Sequence, residues 1–141
     1  MAKQGAAATS QKRQYQPQTA AAAFDRLLQG TDPWVAIGDF LDDWRRSPER
    51  KRAALIAEPI AEAGANPEFQ RWAAFFAGMV ERLCWSAGLP APAWTTRPAY
   101  YLPKPWYLYP GTRIRAWLEE TTPASFKMRN IFGGDRMLDR V

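Results

Sequence analysis

The stretch Asn66–Gly88, NPEFQRWAAFFAGMVERLCWSAG, decides the fold. Asn66-Pro67-Glu68 is a start signal. The asparagine side chain can accept the first free backbone N–H groups, and the proline that follows has no N–H to leave unsatisfied. Phe69, Trp72, Phe76, Met79, Val80, Leu83 and Ala87 then recur at helical spacing over about five turns. Gly88 suits a left-handed C-terminal cap, and Pro90 forbids continuation. A central helix with one apolar face is expected, and the remaining chain has to cover that face.

The same grammar recurs upstream. Asp32-Pro33 opens a helix in which Trp34, Ile37, Leu41 and Trp44 form the apolar stripe, with Asp39, Asp42, Asp43, Arg45 and Arg46 mostly elsewhere. Ser47-Pro48-Glu49 reads as a further start, for a helix over Arg50, Lys51 and Arg52 that ends near Pro59. These two helices are expected to pair tightly. Ahead of them Ala20–Ala23, Phe24, Leu27 and Leu28 favour a short helix closed at Gly30. Residues 1–18 are rich in Gln, Ala and Ser, carry Lys3, Lys12 and Arg13 with no acid, and read as a disordered basic tail.

Residues 89–112 change character, with Pro90, Pro92, Pro98, Pro103, Pro105 and Pro110 alternating with Trp94, Tyr100, Tyr101, Trp106, Tyr107 and Tyr109. Neither a helix nor a central strand holds so many prolines. An extended aromatic segment wrapped over the helices is expected, with a short edge strand around Tyr107 as the alternative. Ile114, Trp117 and Leu118 mark one more short helix; Thr122-Pro123 starts another, carrying Phe126, Met128, Ile131 and Phe132 up to the Gly133-Gly134 turn. The expected fold is all-α, a small helical domain of about five helices over residues 19–141, with the Pro/aromatic wrap at 89–112.

Composition removes most enzyme chemistry. The chain has 141 residues, 47% of them hydrophobic, a net charge of +5 and no histidine. Histidine-based acid/base work, Ser-His-Asp and Cys-His catalysis, and histidine-ligated zinc are therefore excluded. The lone Cys84 allows no internal disulfide, lies beside Leu83 and Trp85 with no base or cation, and reads as an inert core thiol in a cytoplasmic protein. No run approaches the ~20 apolar residues of a membrane span. Asp39 and Asp43 lie four apart on one helical face and could share a hard cation, but Asp42 and Asp43 stand at salt-bridge spacing before Arg46, the simpler reading. No catalytic residue, cofactor or metal is expected: an enzyme working through carboxylates or a tyrosine alone is compatible with the missing histidine but has no constellation behind it, and the favoured expectation is a non-enzymatic binding protein.

Two binding surfaces suggest themselves. A protein interface needs aromatic residues left in water, and with seven tryptophans in the chain the candidates are Trp94, Tyr101, Trp106 and Tyr109, with Arg113 and Arg129 as charged contacts. The alternative is nucleic acid, DNA in particular, held by Arg97, Lys104, Arg113, Arg115, Lys127 and Arg129 among the stacking aromatics. Residues 113–131 can also be read as a helix-turn-helix offering Ser125, Lys127, Arg129 and Asn130, although its turn lacks the usual glycine.

The ordered pieces Gly88-Leu89-Pro90-Ala91-Pro92-Ala93-Trp94-Thr95, Trp106-Tyr107, Thr122-Pro123-Ala124-Ser125-Phe126-Lys127-Met128-Arg129-Asn130-Ile131-Phe132 and Leu138-Asp139-Arg140-Val141 carry a resemblance. They resemble a group of small bacterial proteins encoded beside nucleotidyltransferase-like toxins and regarded as antitoxins or operon regulators. The resemblance covers roughly residues 69–141, and Asn130 stands where those proteins tend to have glycine. It implies a protein that neutralises a partner such as a nucleotidyltransferase-like toxin and, in the alternative, binds its own operator DNA. It carries over no catalytic or metal residue.

Overall fold

The computed structural model describes residues 15–139. In chain order it has α1 (Ala20–Leu28), α2 (Pro33–Arg46), α3 (Glu49–Ile56) and α4 (Pro67–Ala87). Two single 3-10 turns follow, Ala93–Thr96 and Pro98–Tyr100, then β1 (Trp106–Tyr107), α5 (Arg115–Thr121), α6 (Ala124–Lys127) and β2 (Ile131–Phe132). The expected tail falls outside the described residues as far as residue 14. Its last part does not hang free: the Tyr15 hydroxyl and the Gln18 N–H both donate to the buried Asp43 carboxylate of α2. No helix among the described residues is long and apolar enough to cross a membrane.

Helix starts follow local chemistry where the cap side chain is purely an acceptor toward the N–H groups ahead of it. Asp32 accepts from the N–H groups of Trp34 and Val35, and Asn66 from those of Glu68 and Phe69. Gly88 closes α4 in the left-handed conformation at φ 69°. Ser47 and Thr122 behave differently from the expectation. The Ser47 hydroxyl donates back to the Asp43 carbonyl and that of Thr122 to the Leu118 carbonyl, so each caps the helix behind it. A serine or threonine hydroxyl can bond the carbonyl four residues back as readily as an N–H ahead. Thr122 Oγ1 also accepts from the N–H groups of Gly133 and Gly134 and so ties the C-terminal turn to α5.

The α4 helix is buried on every side, not along one face, from Trp72 to Val80. Ala73, Ala74, Ala77 and Gly78 stand between the large residues and let neighbouring elements approach closely, and no polar side chain interrupts the run. The α1 helix, both 3-10 turns and α6 pack around α4, and α1 packs closely on α2. Phe126 of α6 rests on Gly78, where an added Cβ would lie 2.9 Å from its ring. The tight α2–α3 pair that was expected is displaced by the α1–α2 pair, because α1 presents Ala20, Ala23, Phe24 and Leu27 as one buried face while α3 buries only Leu55 and Ile56.

The wrap segment corrects the all-α expectation. Trp106 and Tyr107 pair in parallel with Ile131 and Phe132, so a two-stranded sheet is added to a predominantly helical fold. The extended residues between Pro105 and Pro110 leave N–H groups that need acceptors; those of Trp106 and Leu108 donate to the carbonyls of Asn130 and Phe132. Parallel pairing needs a long connection, and α5 with α6 supplies it. Further back, the Trp94 indole N–H donates to the Ile56 carbonyl at 2.9 Å, and its ring meets Tyr100 edge to face, pinning the wrap over α3 and α4.

Candidate functional site

Past Val80 the α4 helix emerges from the core. Leu83 and Cys84 still point inward, so helical geometry turns Trp85 to the opposite side, where its indole is 72% exposed. Arg82 lies over that ring, 4.5 Å from its centroid. The facing wall comes from α6, which anchors itself through Phe126 and thereby directs Met128 outward, 57% exposed. Glu81, Arg82, Trp85, Ala124, Ser125 and Met128 line the resulting groove, of about 500 Å³. Its lining is predominantly apolar.

Arg129 lies in the core beside the groove. Its guanidinium is fully buried; Nη1 donates to Glu81 Oε1 at 2.8 Å and to the Ser125 carbonyl at 2.6 Å, and Nη2 donates to the Thr95 carbonyl at 2.6 Å. The Tyr101 ring covers it at 4.9 Å. One side chain thus joins α4, α6 and the first 3-10 turn, and fixes the two groove walls relative to each other. The Ser125 hydroxyl is buried without a hydrogen-bond partner among the described residues. Burial, helped by the Glu81 charge, pushes the nearby Cys84 thiol up to about 11, so it stays protonated at neutral pH and is a poor nucleophile.

The expected partner contacts divide accordingly. Tyr109 and Arg113 are exposed. Trp106 and Tyr101 are half-buried; Trp106 packs on Trp72 edge to face at 5.0 Å, and Arg71 lies over the Trp106 ring at 5.8 Å. Trp94 and Arg129 are corrected: both are buried and held by the fold, Trp94 through the Ile56 carbonyl and Arg129 through Glu81, with the Arg129 Nε left without a hydrogen-bond partner among the described residues, and neither is open to a partner. Of the residues expected to hold nucleic acid, Lys104 is exposed and Lys127 half-buried. Arg115 is committed to the Tyr107 ring at 4.6 Å, in a cluster where the Tyr107 hydroxyl donates to Glu119. Arg97 lies beside Tyr100 and Glu62 in another pocket. The helix-turn-helix expectation fails on geometry, since α6 is a single turn of four residues and Phe126 and Arg129 are spent on the core. Asp39 pairs with Arg26 and Asp43 with Arg46, which uses both carboxylates internally.

Trp85 and Met128 were not singled out from the sequence. A signal for Trp85 was present, because it falls off the stripe that runs from Phe69 to Ala87. For Met128 there was none, since which way a single-turn helix faces depends on its anchor. Compared with protein-family models, with curated proteins and with solved structures, the chain matches none.

Proposed function

We propose that this chain is a protein-binding module whose contact surface centres on the groove between Trp85 and Met128. The observation that carries this reading is the indole of Trp85, left in water on a helix that is buried on every side from Trp72 to Val80. Trp, Met and Arg are residue types enriched at protein interfaces, and all three meet here with Arg82 stacked on the indole. Methionine adds a side chain that adapts to the shape of a partner. The exposed Tyr109 and Arg113 lie outside this groove, as do Ile114 and Trp117, which are also open to water. The C-terminal resemblance suggests the partner class, a nucleotidyltransferase-like toxin, and an antitoxin-like role in neutralising it.

The test is capture of protein by the tagged full chain from nuclease-treated host extract, wild type beside Trp85→Ala, Met128→Ala and Tyr109→Ala. A stoichiometric protein partner held by the wild type and lost by Trp85→Ala and Met128→Ala, with melting temperatures unchanged, is the expected result. Equal retention by Trp85→Ala, or recovery of nucleic acid alone when nuclease is omitted, overturns it.

A further inference from the structure

A second cleft, of about 310 Å³, adjoins the Trp85 groove and shares Arg82 with it. Arg45 of α2, Arg52 of α3 and Arg82 of α4 line it, over a floor that includes the buried Trp44, Leu83 and Phe126. Arg52 is held in place: Nε donates to the Trp44 carbonyl at 3.0 Å, Nη2 to the Arg45 carbonyl at 3.3 Å, and the guanidinium lies over the Trp44 ring. Arg45 donates to the Leu138 carbonyl at 2.6 Å, and Arg82 is stacked on Trp85. None of the three forms an ion pair with a carboxylate among the described residues, whereas Arg26, Arg46, Arg71 and Arg129 each do. Three guanidiniums from three helices, each oriented by neutral groups, therefore keep their charge for a ligand.

We infer that the partner segment taken up by this surface is an acidic peptide, with an apolar side chain in the Trp85–Met128 groove and a neighbouring Asp or Glu in the Arg45–Arg52–Arg82 cleft. The inference rests on the protein-binding reading above and specifies its partner. Charge complementarity selects the anion, and the opposite wall selects its kind. Asp135 and Asp139 also line the cleft, so its excess positive charge is small. One or two carboxylates on an otherwise neutral backbone match that balance, while a phosphate chain carrying a charge at every nucleotide would run against both aspartates. The adjoining groove offers apolar surface for the side chain beside that carboxylate. Arg fixed by backbone carbonyls and ring stacking loses little freedom when it binds, which favours a short segment.

The experiment is selection of a random dodecapeptide display library on the immobilised full chain, followed by fluorescence anisotropy with the enriched peptides and, in parallel, with a single-stranded dodecanucleotide. Enriched peptides should place Asp or Glu within about one helical turn of Trp, Phe, Leu or Met. Trp85→Ala and the double variant Arg52→Gln/Arg82→Gln should each weaken binding at least about tenfold. Arg82→Gln alone, which leaves every backbone-bonded arginine in place, should weaken it to a smaller degree and guards against misfolding of the double variant. Neutral peptides that depend on Trp85 but ignore the arginine variants overturn the acidic specificity and leave the protein-binding reading standing. Failure to enrich any peptide, or binding indifferent to Trp85→Ala, overturns both. Tighter binding of the oligonucleotide, lost in the arginine variants, assigns the cleft to nucleic acid and overturns the inference.

Discussion

Arg129 donates to Glu81 at 2.8 Å from a position with no solvent exposure, while the Glu81 carboxylate stays a quarter exposed on the groove wall. The pair is therefore a core device with one end at the binding surface. Its worth lies in what removal leaves behind: a cavity, and the Ser125 and Thr95 carbonyls without their donor. Arg129→Ala is expected to cost about 3 kcal/mol or more in chemical denaturation. Glu81→Gln keeps a hydrogen-bond acceptor at the surface-facing end and should cost less, about 1 kcal/mol. Equal stability of Arg129→Ala and the wild type would show that the guanidinium is not the joint between α4 and α6.

Gly78 sets packing against helix propensity. In an exposed helix interior, Gly→Ala stabilises by about 0.5–1 kcal/mol. Here an added methyl would lie 2.9 Å from Cδ1 of Phe126 and 3.2 Å from the Ser125 carbonyl oxygen. Overpacking of that kind costs about 1–3 kcal/mol, so Gly78→Ala is expected to lower stability on balance. The double variant Gly78→Ala/Phe126→Leu should recover part of the loss, measured by thermal melting. A melting temperature raised by Gly78→Ala would mean that α6 does not lean on α4 at this point.

What could be read in advance followed the range of the interaction. Asp32, Asn66 and Gly88 set helix ends through bonds to residues two to four positions away, which a sequence displays directly. Ser47 and Thr122 misled because the same hydroxyl has acceptors behind it as well as donors ahead. The Trp106–Ile131 register, the burial of Trp94 and that of Arg129 depend on carbonyls brought from distant segments: Asn130 for the strand, Ile56 for the indole, Thr95 for the guanidinium. A buried arginine is rare enough that its sequence position alone points to the surface. The arginine cleft was hidden for a related reason, since Arg45, Arg52 and Arg82 come together only when three helices pack.

Asp43 links the segment before α1 to α2, and its protonation is predicted to loosen that link. Burial pushes its carboxyl up, but the Gln18 N–H, the Tyr15 hydroxyl and Arg46 together outweigh burial and hold it below the ordinary 3.8. A carboxyl lowered in the folded state adds stability that is fully present above the unfolded value and is lost as pH falls through the folded one. The wild type should thus be more stable than Asp43→Asn at pH 6, with the gap narrowing once the pH drops below about 4. Tyr15→Phe removes one of the stabilising bonds and should shrink the gap at pH 6. Melting curves from pH 2.5 to pH 7 check this, and a gap that does not change with pH removes Asp43 from the account.

Asn130 is the one non-glycine residue with positive φ among the described residues, at 66°. It stands between α6 and β2, where the chain must reverse from helix to strand, and its Nδ2 donates to the Leu102 carbonyl at 2.8 Å. Asparagine tolerates the left-handed region better than other residues with a Cβ, and glycine tolerates it without strain. Asn130→Gly should relieve strain but lose the Leu102 bond and gain unfolded-state freedom, for a net change within about 1 kcal/mol. Asn130→Ala loses the bond and keeps the strain, and should cost about 1–2 kcal/mol more than the glycine variant. Because the Asn130 carbonyl also accepts from the Trp106 N–H, the loss should be accompanied by faster amide exchange at Trp106. If alanine proves as stable as glycine, the left-handed turn is not what fixes the strand register.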